Sequence, residues 1–291
     1  MEPAAAPVEP QAPQQAVCPE HPDRAAVATC TRCGQFVCPG CVAQSEPPLC
    51  ERCLAKKGIP LLSQPFTFGG ALTGAFQLFL PQAGKLAAIC AVWAVPVGIS
   101  NFLFASIEGI PGVFRTYLTL LAAGLISMCA GIACVAAMMA YAEEKPASLT
   151  FLLAEGLRAW PRVFGAKFVA GIQIMLWSLA LLVPGIIKAV KLTLVTAVAY
   201  REPGVDASER SESLVTGSGW EVLGLLVVVQ GLALVASTVV TIGLNVLPTI
   251  SVALALPAQI AMAFVTLLAT SLRHAADLSA YYTLRRSREL T

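Results

Sequence analysis

Eight side chains able to bind a soft or borderline metal ion fall between positions 18 and 53 of the 291-residue chain. They form four pairs, each separated by two residues: Cys18 and His21, Cys30 and Cys33, Cys38 and Cys41, Cys50 and Cys53. A two-residue gap lets both donors of a tight turn reach one tetrahedral ion at about 2.3 Å, the Zn–S bond length. Gly34 and Gly40 stand where such turns need sharp backbone geometry. Two long spacers, 22–29 and 42–49, flank a short one at 34–37, which favours a crossed arrangement. The first and third pairs then hold one zinc, and the second and fourth hold the other. With every ligand supplied by protein, neither ion keeps an open position for a catalytic water, so both sites are expected to be structural. Unmetallated thiols or a redox pair are the alternative. The segment has few apolar residues beyond Val27, Phe36, Val37 and Val42, so metal binding, on the order of 10–16 kcal/mol in structural zinc peptides, would have to hold the fold together.

The opening Cys18-Pro19-Glu20-His21-Pro22, the knuckle Cys30-Thr31-Arg32-Cys33-Gly34 and the knuckle Cys38-Pro39-Gly40-Cys41 resemble a B-box-type zinc finger. The resemblance covers about residues 17–54. It departs from the family at its end, where two histidines are common and this chain has Cys50 and Cys53. The resemblance implies a small protein-interaction module. It does not imply ubiquitin-ligase activity, because neither a companion RING pattern nor coiled-coil heptads occur.

The rest of the chain has a different composition. Hydrophobic residues make up 57% and charged residues 12% of the whole, with a mean hydropathy of +0.74, whereas soluble domains are about 25% charged. The formal charge of +2 provides no broad basic field, so no nucleic-acid partner is expected. Seven of the ten cysteines lie in the cluster; Cys90, Cys129 and Cys134 lie in apolar runs. Residues 1–17 lack the basic and apolar regions of a signal peptide. The cluster is therefore expected in reducing cytosol, where paired cysteines read as metal ligands.

These patterns give an expected organisation: a disordered Pro-rich tail (1–16), a B-box-like zinc domain (17–55), a linker with an interfacial helix (56–85), a transmembrane domain (86–273) and a cytoplasmic basic tail (274–291). The expected fold is an all-α multi-pass membrane helical bundle with a small N-terminal cross-braced zinc-binding domain. Because roughly 20 apolar residues cross a hydrocarbon core, spans are expected at about 86–107, 116–141, 163–183, 186–200, 221–245 and 249–272. Spans three and four form a tight hairpin at Pro184-Gly185. With the N-terminus inside, sixteen Lys and Arg residues fall on inner segments and only Arg115, Lys188 and Lys191 outside. That asymmetry satisfies the positive-inside rule and places both termini in the cytoplasm, with a bacterial inner (plasma) membrane as the expected location.

A repeated unit, an interfacial helix followed by a two-span hairpin, is suggested at Pro65-Phe66-Thr67-Phe68, at Ser148-Leu149-Thr150-Phe151 and at 206–220. The Pro184-Gly185-Ile186 turn and the spacing Ser211, Leu214, Gly217, Trp220 resemble the six-span membrane domain found on some glycerophosphodiester phosphodiesterases, over about residues 65–285. In that family the domain is not the catalytic part, so the resemblance implies a fold rather than an activity.

Few other residues invite a functional role. Lys188 and Lys191 share a helix face near the expected outer boundary, where snorkelling is inexpensive; an anion or lipid-headgroup site is the sharper alternative. Gln173, Gln230, Asn245 and Gln259 are expected to form interhelical hydrogen bonds. No Asp or Glu lies inside the expected apolar spans, which weighs against a proton-coupled transporter. His274 reads as a solvated helix end. Tyr281, Tyr282, Arg285, Arg286 and Arg288 read as an interfacial anchor. Gly217-Ser218-Gly219 is not a nucleophile elbow, and no phosphate-binding or dinucleotide motif occurs. The expected function is therefore non-enzymatic: a membrane protein, in contact with the lipid bilayer, displaying a cytoplasmic two-zinc module to a cytosolic or membrane protein partner. Transport or lipid handling with a regulatory zinc module is the alternative. Nothing in the sequence sets the partner's identity or an oligomeric state.

Overall fold

Thr67, Ser148 and Asp206 each start a short helix, and in the computed structural model each does so through its side chain. Thr67 Oγ1 accepts from the Gly70 N–H at 3.2 Å, Ser148 Oγ from the Phe151 N–H at 3.2 Å, and Asp206 Oδ1 from the Ser208 and Glu209 N–H groups at 2.8 and 3.0 Å. Such caps satisfy donors that the first helical turn leaves without partners. The structure describes residues 16–30, 34–41, 65–107, 109, 111–246 and 251–289. The chain divides into two compact units, 1–58 and 59–291.

In the second unit the three capped helices are α1 (Phe68–Phe79), α4 (Leu149–Arg158) and α8 (Ala207–Val215). Long apolar helices follow each of them. α1 leads through a 3₁₀ turn, Leu80–Gln82, into α2 (Ala83–Ser106), followed by α3 (Gly112–Ala142). α4 precedes α5 (Trp160–Ala180), which turns at Leu181 into α6 (Leu182–Lys191) and α7 (Val195–Arg201). α8 precedes α9 (Gly219–Leu244) and α10 (Ala255–Glu289). The unit of one short capped helix and two apolar crossings thus occurs three times among the described residues. Six segments are long and apolar enough to cross a membrane: Phe68–Ser106, Gly112–Ala142, Trp160–Ala180, Leu182–Arg201, Gly219–Leu244 and Ala255–Arg288. The fold is a multi-pass helical bundle with a small strand-rich module ahead of it.

Packing departs from expectation in the first and last helices of this unit. The helix expected to lie at the interface is α1, and its Ala71, Gly74, Ala75 and Leu78 are buried. Their i, i+3, i+4, i+7 spacing makes one narrow face of mostly small residues, and it packs against α10. The basic tail expected at 274–291 is instead the well-buried last part of α10: Ala275, Ala276, Leu278, Ala280, Tyr281 and Leu284 belong to the core. Small residues also bring backbones together in the middle of the bundle. A Cβ at Gly98 on α2 would stand 2.7 Å from Ile260 Cα and 2.8 Å from its backbone nitrogen on α10, the close approach typical of membrane helix pairs.

The first unit contains β1 (Val17–Cys18) paired antiparallel with β2 (His21–Ala25), and β3 (Ala28–Thr29) paired with β4 (Phe36–Val37). Its buried cluster is Cys18, Cys30, Val37, Cys38 and Cys41. Val27 and Phe36, expected as apolar core, are exposed, and Val42 lies outside the described residues. Alternation along so short a strand explains Phe36: with Val37 turned inward, its neighbour points to the other face.

Candidate metal centre

Cys18 and His21 close the tight β1–β2 turn, where they face each other in register. Cys38 and Cys41 close a second turn directly after β4, with the Cys41 N–H donating to the Cys38 carbonyl at 3.0 Å. The two turns converge. The Sγ atoms of Cys18, Cys38 and Cys41 and a ring nitrogen of His21 all lie within 4.8 Å of one another. His21 Nδ1 is 3.1 Å from Cys41 Sγ and 3.7 Å from Cys38 Sγ. Donors on a tetrahedral zinc with bonds of about 2.0 Å to nitrogen and 2.3 Å to sulfur stand roughly 3.5–3.8 Å apart. The four residues therefore fit that ion with little adjustment, and three thiols with one imidazole suit zinc better than a hard cation.

The thiols also show why a cation belongs here. The Cys38 backbone N–H is the main influence drawing the Cys18 thiol down to about 6, with the Glu20 and His21 backbones and the His21 ring adding to it against burial. Burial first, and then the neighbouring Cys38 and Cys18, push the Cys41 thiol up to about 12. Three thiolates so close repel one another, and a bound divalent ion is what allows all of them to ionise.

Of the other four expected ligands, Cys30 is buried in the same unit and outside this cluster, while Cys33, Cys50 and Cys53 lie outside the described residues. Two backbone bonds join Cys30 to the residues beyond 31–33: the Gly34 N–H donates to the Cys30 carbonyl at 2.9 Å, and the Cys30 N–H to the Gln35 carbonyl at 2.8 Å. Gly34 has φ +74°, the left-handed conformation that favours glycine. Gly40 does not adopt it; a Cβ there would meet the Arg24 guanidinium at 3.1 Å.

Two polar arrangements in the membrane unit were not expected. At one end of the bundle, Glu143 is ion-paired with Arg201 at 2.8 Å and Lys145 at 2.6 Å, and accepts from Tyr282 Oη at 3.4 Å. Beside it, Glu202 accepts from Tyr281 Oη at 2.6 Å and from Arg210 at 3.1 Å. Tyr281, Tyr282 and Arg210 are thus committed to protein partners, which corrects the expectation that the two tyrosines act as a lipid anchor. Lys188 is ion-paired with Glu212, correcting the snorkelling expectation, and the Lys191 carbonyl accepts from Ser211 Oγ at 2.7 Å. Gln230 accepts from Arg273 Nη1 at 3.3 Å, the kind of interhelical bond expected of it.

The second arrangement surrounds a cavity of about 420 Å³ between α3, α5, α7 and α10, lined by Lys167, Arg273, His274 and Asp277. His274 is not a solvated helix end. Its Nε2 packs against Gly131, where a Cβ would stand 2.7 Å away, and its Nδ1 is buried without a hydrogen-bond partner. Asp277, 7% exposed, accepts from Thr193 Oγ1 at 3.2 Å. The signal in the sequence was the spacing Arg273, His274, Asp277, which puts all three on one side of a helix.

The B-box zinc finger family matches residues 13–47, a small part of the chain that holds Cys18, His21, Cys30, Cys33, Cys38 and Cys41 and stops before Cys50. Comparison with curated proteins and with solved structures gave no match, and neither supports the resemblance of residues 65–285 to the phosphodiesterase membrane domain.

Proposed function

We propose that this protein is a non-enzymatic, multi-pass membrane protein that holds a zinc-stabilised B-box-like module at the cytoplasmic face and uses it to bind a protein partner. The observation that carries this reading is the four-donor cluster of Cys18, His21, Cys38 and Cys41 inside a stretch matching the B-box family. Four protein donors fill a tetrahedral shell, leaving zinc no position at which to activate water. A module so small owes its shape to the ion, and what it then offers is a surface. A second zinc on Cys30, Cys33, Cys50 and Cys53 completes the proposed cross-brace.

Two features support a common, cytoplasmic side for both termini. The Phe66 N–H donates to Ser287 Oγ at 2.8 Å, so the start of the first apolar segment and the end of the last are neighbours, as an even number of crossings requires. Arg201, Arg210 and Arg285 gather at that same end around Glu143 and Glu202, in keeping with the inner-side excess of basic residues.

The test is recovery of cytosolic proteins on the full chain in detergent, with and without chelator, beside a Cys38→Ser variant. A partner retained by the native protein and lost in both other samples supports the reading. A phenotype that survives removal of the cluster but fails when the membrane unit is altered would favour transport or lipid handling instead, with the zinc module regulatory. C-terminal reporter fusions that are active only outside the cytoplasm would reverse the orientation.

A further inference from the structure

We propose that the cavity between α3, α5, α7 and α10 is a binding site for a phosphate ester, contributed either by a phospholipid headgroup or by a soluble phosphate compound. Two cations, Lys167 and Arg273, line it against a single carboxylate, Asp277, which already accepts from Thr193 Oγ1. Lys167 has no hydrogen-bond or ion-pair partner within 4.0 Å among the described residues, although it stands within an apolar crossing segment. Asp277, which it shares with Arg273, is the one carboxylate lining the same cavity, so the two cations leave net positive charge there for water or an anion to compensate. The His274 ring also lines the cavity. The site thus carries an excess of positive charge and donor capacity.

The shape of the donor set selects among anions. Lys167 and Arg273 approach from two helices, α5 and α10, and a phosphate monoester, such as the headgroup of phosphatidic acid, offers three acceptor oxygens where a carboxylate has two. Arg273 can engage two of those oxygens with its planar fork. The remaining walls include Ile132, Ile174 and Leu192, so an apolar surface adjoins the charged end. At about 420 Å³ the space exceeds a phosphate ion and lies within the range of pockets that hold small organic ligands, roughly 300–1,000 Å³. A phosphate with a short organic arm fills both parts, and a hydroxyl on that arm could donate to Asp277.

The experiment is a thermal-shift titration of the full-length protein in detergent with four probes: inorganic phosphate, dihexanoyl phosphatidic acid, dihexanoylglycerol and hexanoate. A saturable rise in melting temperature with dihexanoyl phosphatidic acid is expected. If inorganic phosphate reproduces it, the source is a soluble phosphate; if only the lipid does, the source is a headgroup. Lys167→Met combined with Arg273→Met should weaken the response about tenfold or more, the equivalent of losing one charge-assisted hydrogen bond. Lys85→Met, outside the cavity, should leave it unchanged. Absence of a saturable response to both phosphate probes overturns the proposal. So does an equal response to dihexanoylglycerol or hexanoate, or an undiminished one in the double variant. A measurement on the native protein avoids dependence on variant folding: the phosphate probe should protect Lys167 from amine acetylation and leave Lys85 reactive. Equal labelling of Lys167 with and without probe would also overturn the site.

Discussion

Lys188 on α6 and Glu212 on α8 form an ion pair that ties the fourth apolar segment to the polar helix preceding the fifth. Their side chains are 19% and 29% exposed, so the pair lies between the exposed and buried limits. The same two helices are joined again by Ser211 Oγ and the Lys191 carbonyl. The polar helix therefore folds against the fourth span and does not stand free of it.

Glu212→Gln should destabilise the protein by about 1–3 kcal/mol, because it leaves Lys188 without its partner in a half-buried site. Glu209→Gln, on the exposed side of the same helix, should change stability by less than about 0.5 kcal/mol. Thermal melting in detergent reads both. The charge-swapped pair Lys188→Glu with Glu212→Lys should recover part of the loss. Equal melting of the Glu212 and Glu209 variants would show that the pair contributes nothing.

Tyr281 is fully buried and donates to Glu202 at 2.6 Å. Tyr281→Phe should cost about 1.5–3 kcal/mol, the range for a hydrogen bond to a charged group. Glu202→Ala should cost more, since it also removes the carboxylate that Arg210 meets at 3.1 Å. Chemical denaturation of the two variants side by side tests the order; a Tyr281→Phe protein as stable as the native one contradicts it.

Gly98→Ala places a methyl group against the Ile260 backbone at under 3 Å, so α2 and α10 must separate or bend. Overpacking of this kind costs about 1–3 kcal/mol or more. Gly231→Ala on α9 meets nothing within 4 Å, and should be neutral or stabilising by up to about 1 kcal/mol through helix propensity. Expression level and melting temperature should separate the two variants in that direction.

The intact protein should carry two zinc ions per chain by elemental analysis. Cys38→Ser should lower that to one, and Cys53→Ser should lower it to one independently. Prolonged chelation should remove both and abolish the module's protection from protease while the membrane unit stays folded. A native content of one ion, unaffected by Cys53→Ser, would restrict the cross-brace to the first site.

Much of this arrangement was legible in the order of residues because it depends on local rules. Metal ligands with two residues between them report a turn, so Cys18 with His21 and Cys38 with Cys41 mark pairs before any fold is known. Uncharged stretches near 20 residues report crossings, and Thr67, Ser148 and Asp206 report helix starts. What tertiary structure decided is which charges meet. Glu143 meets Arg201, Glu212 meets Lys188 and Glu202 meets Tyr281 across many residues of chain, and Tyr281 is buried at the end of a sequence rich in arginine. No local spacing encodes such pairings, because they form only when helices distant in sequence pack side by side. The cavity of Lys167, Arg273, His274 and Asp277 has the same origin: the chain supplies one cation on α5 and a triad on α10, and only the packing of those two helices with α3 and α7 encloses the space between them.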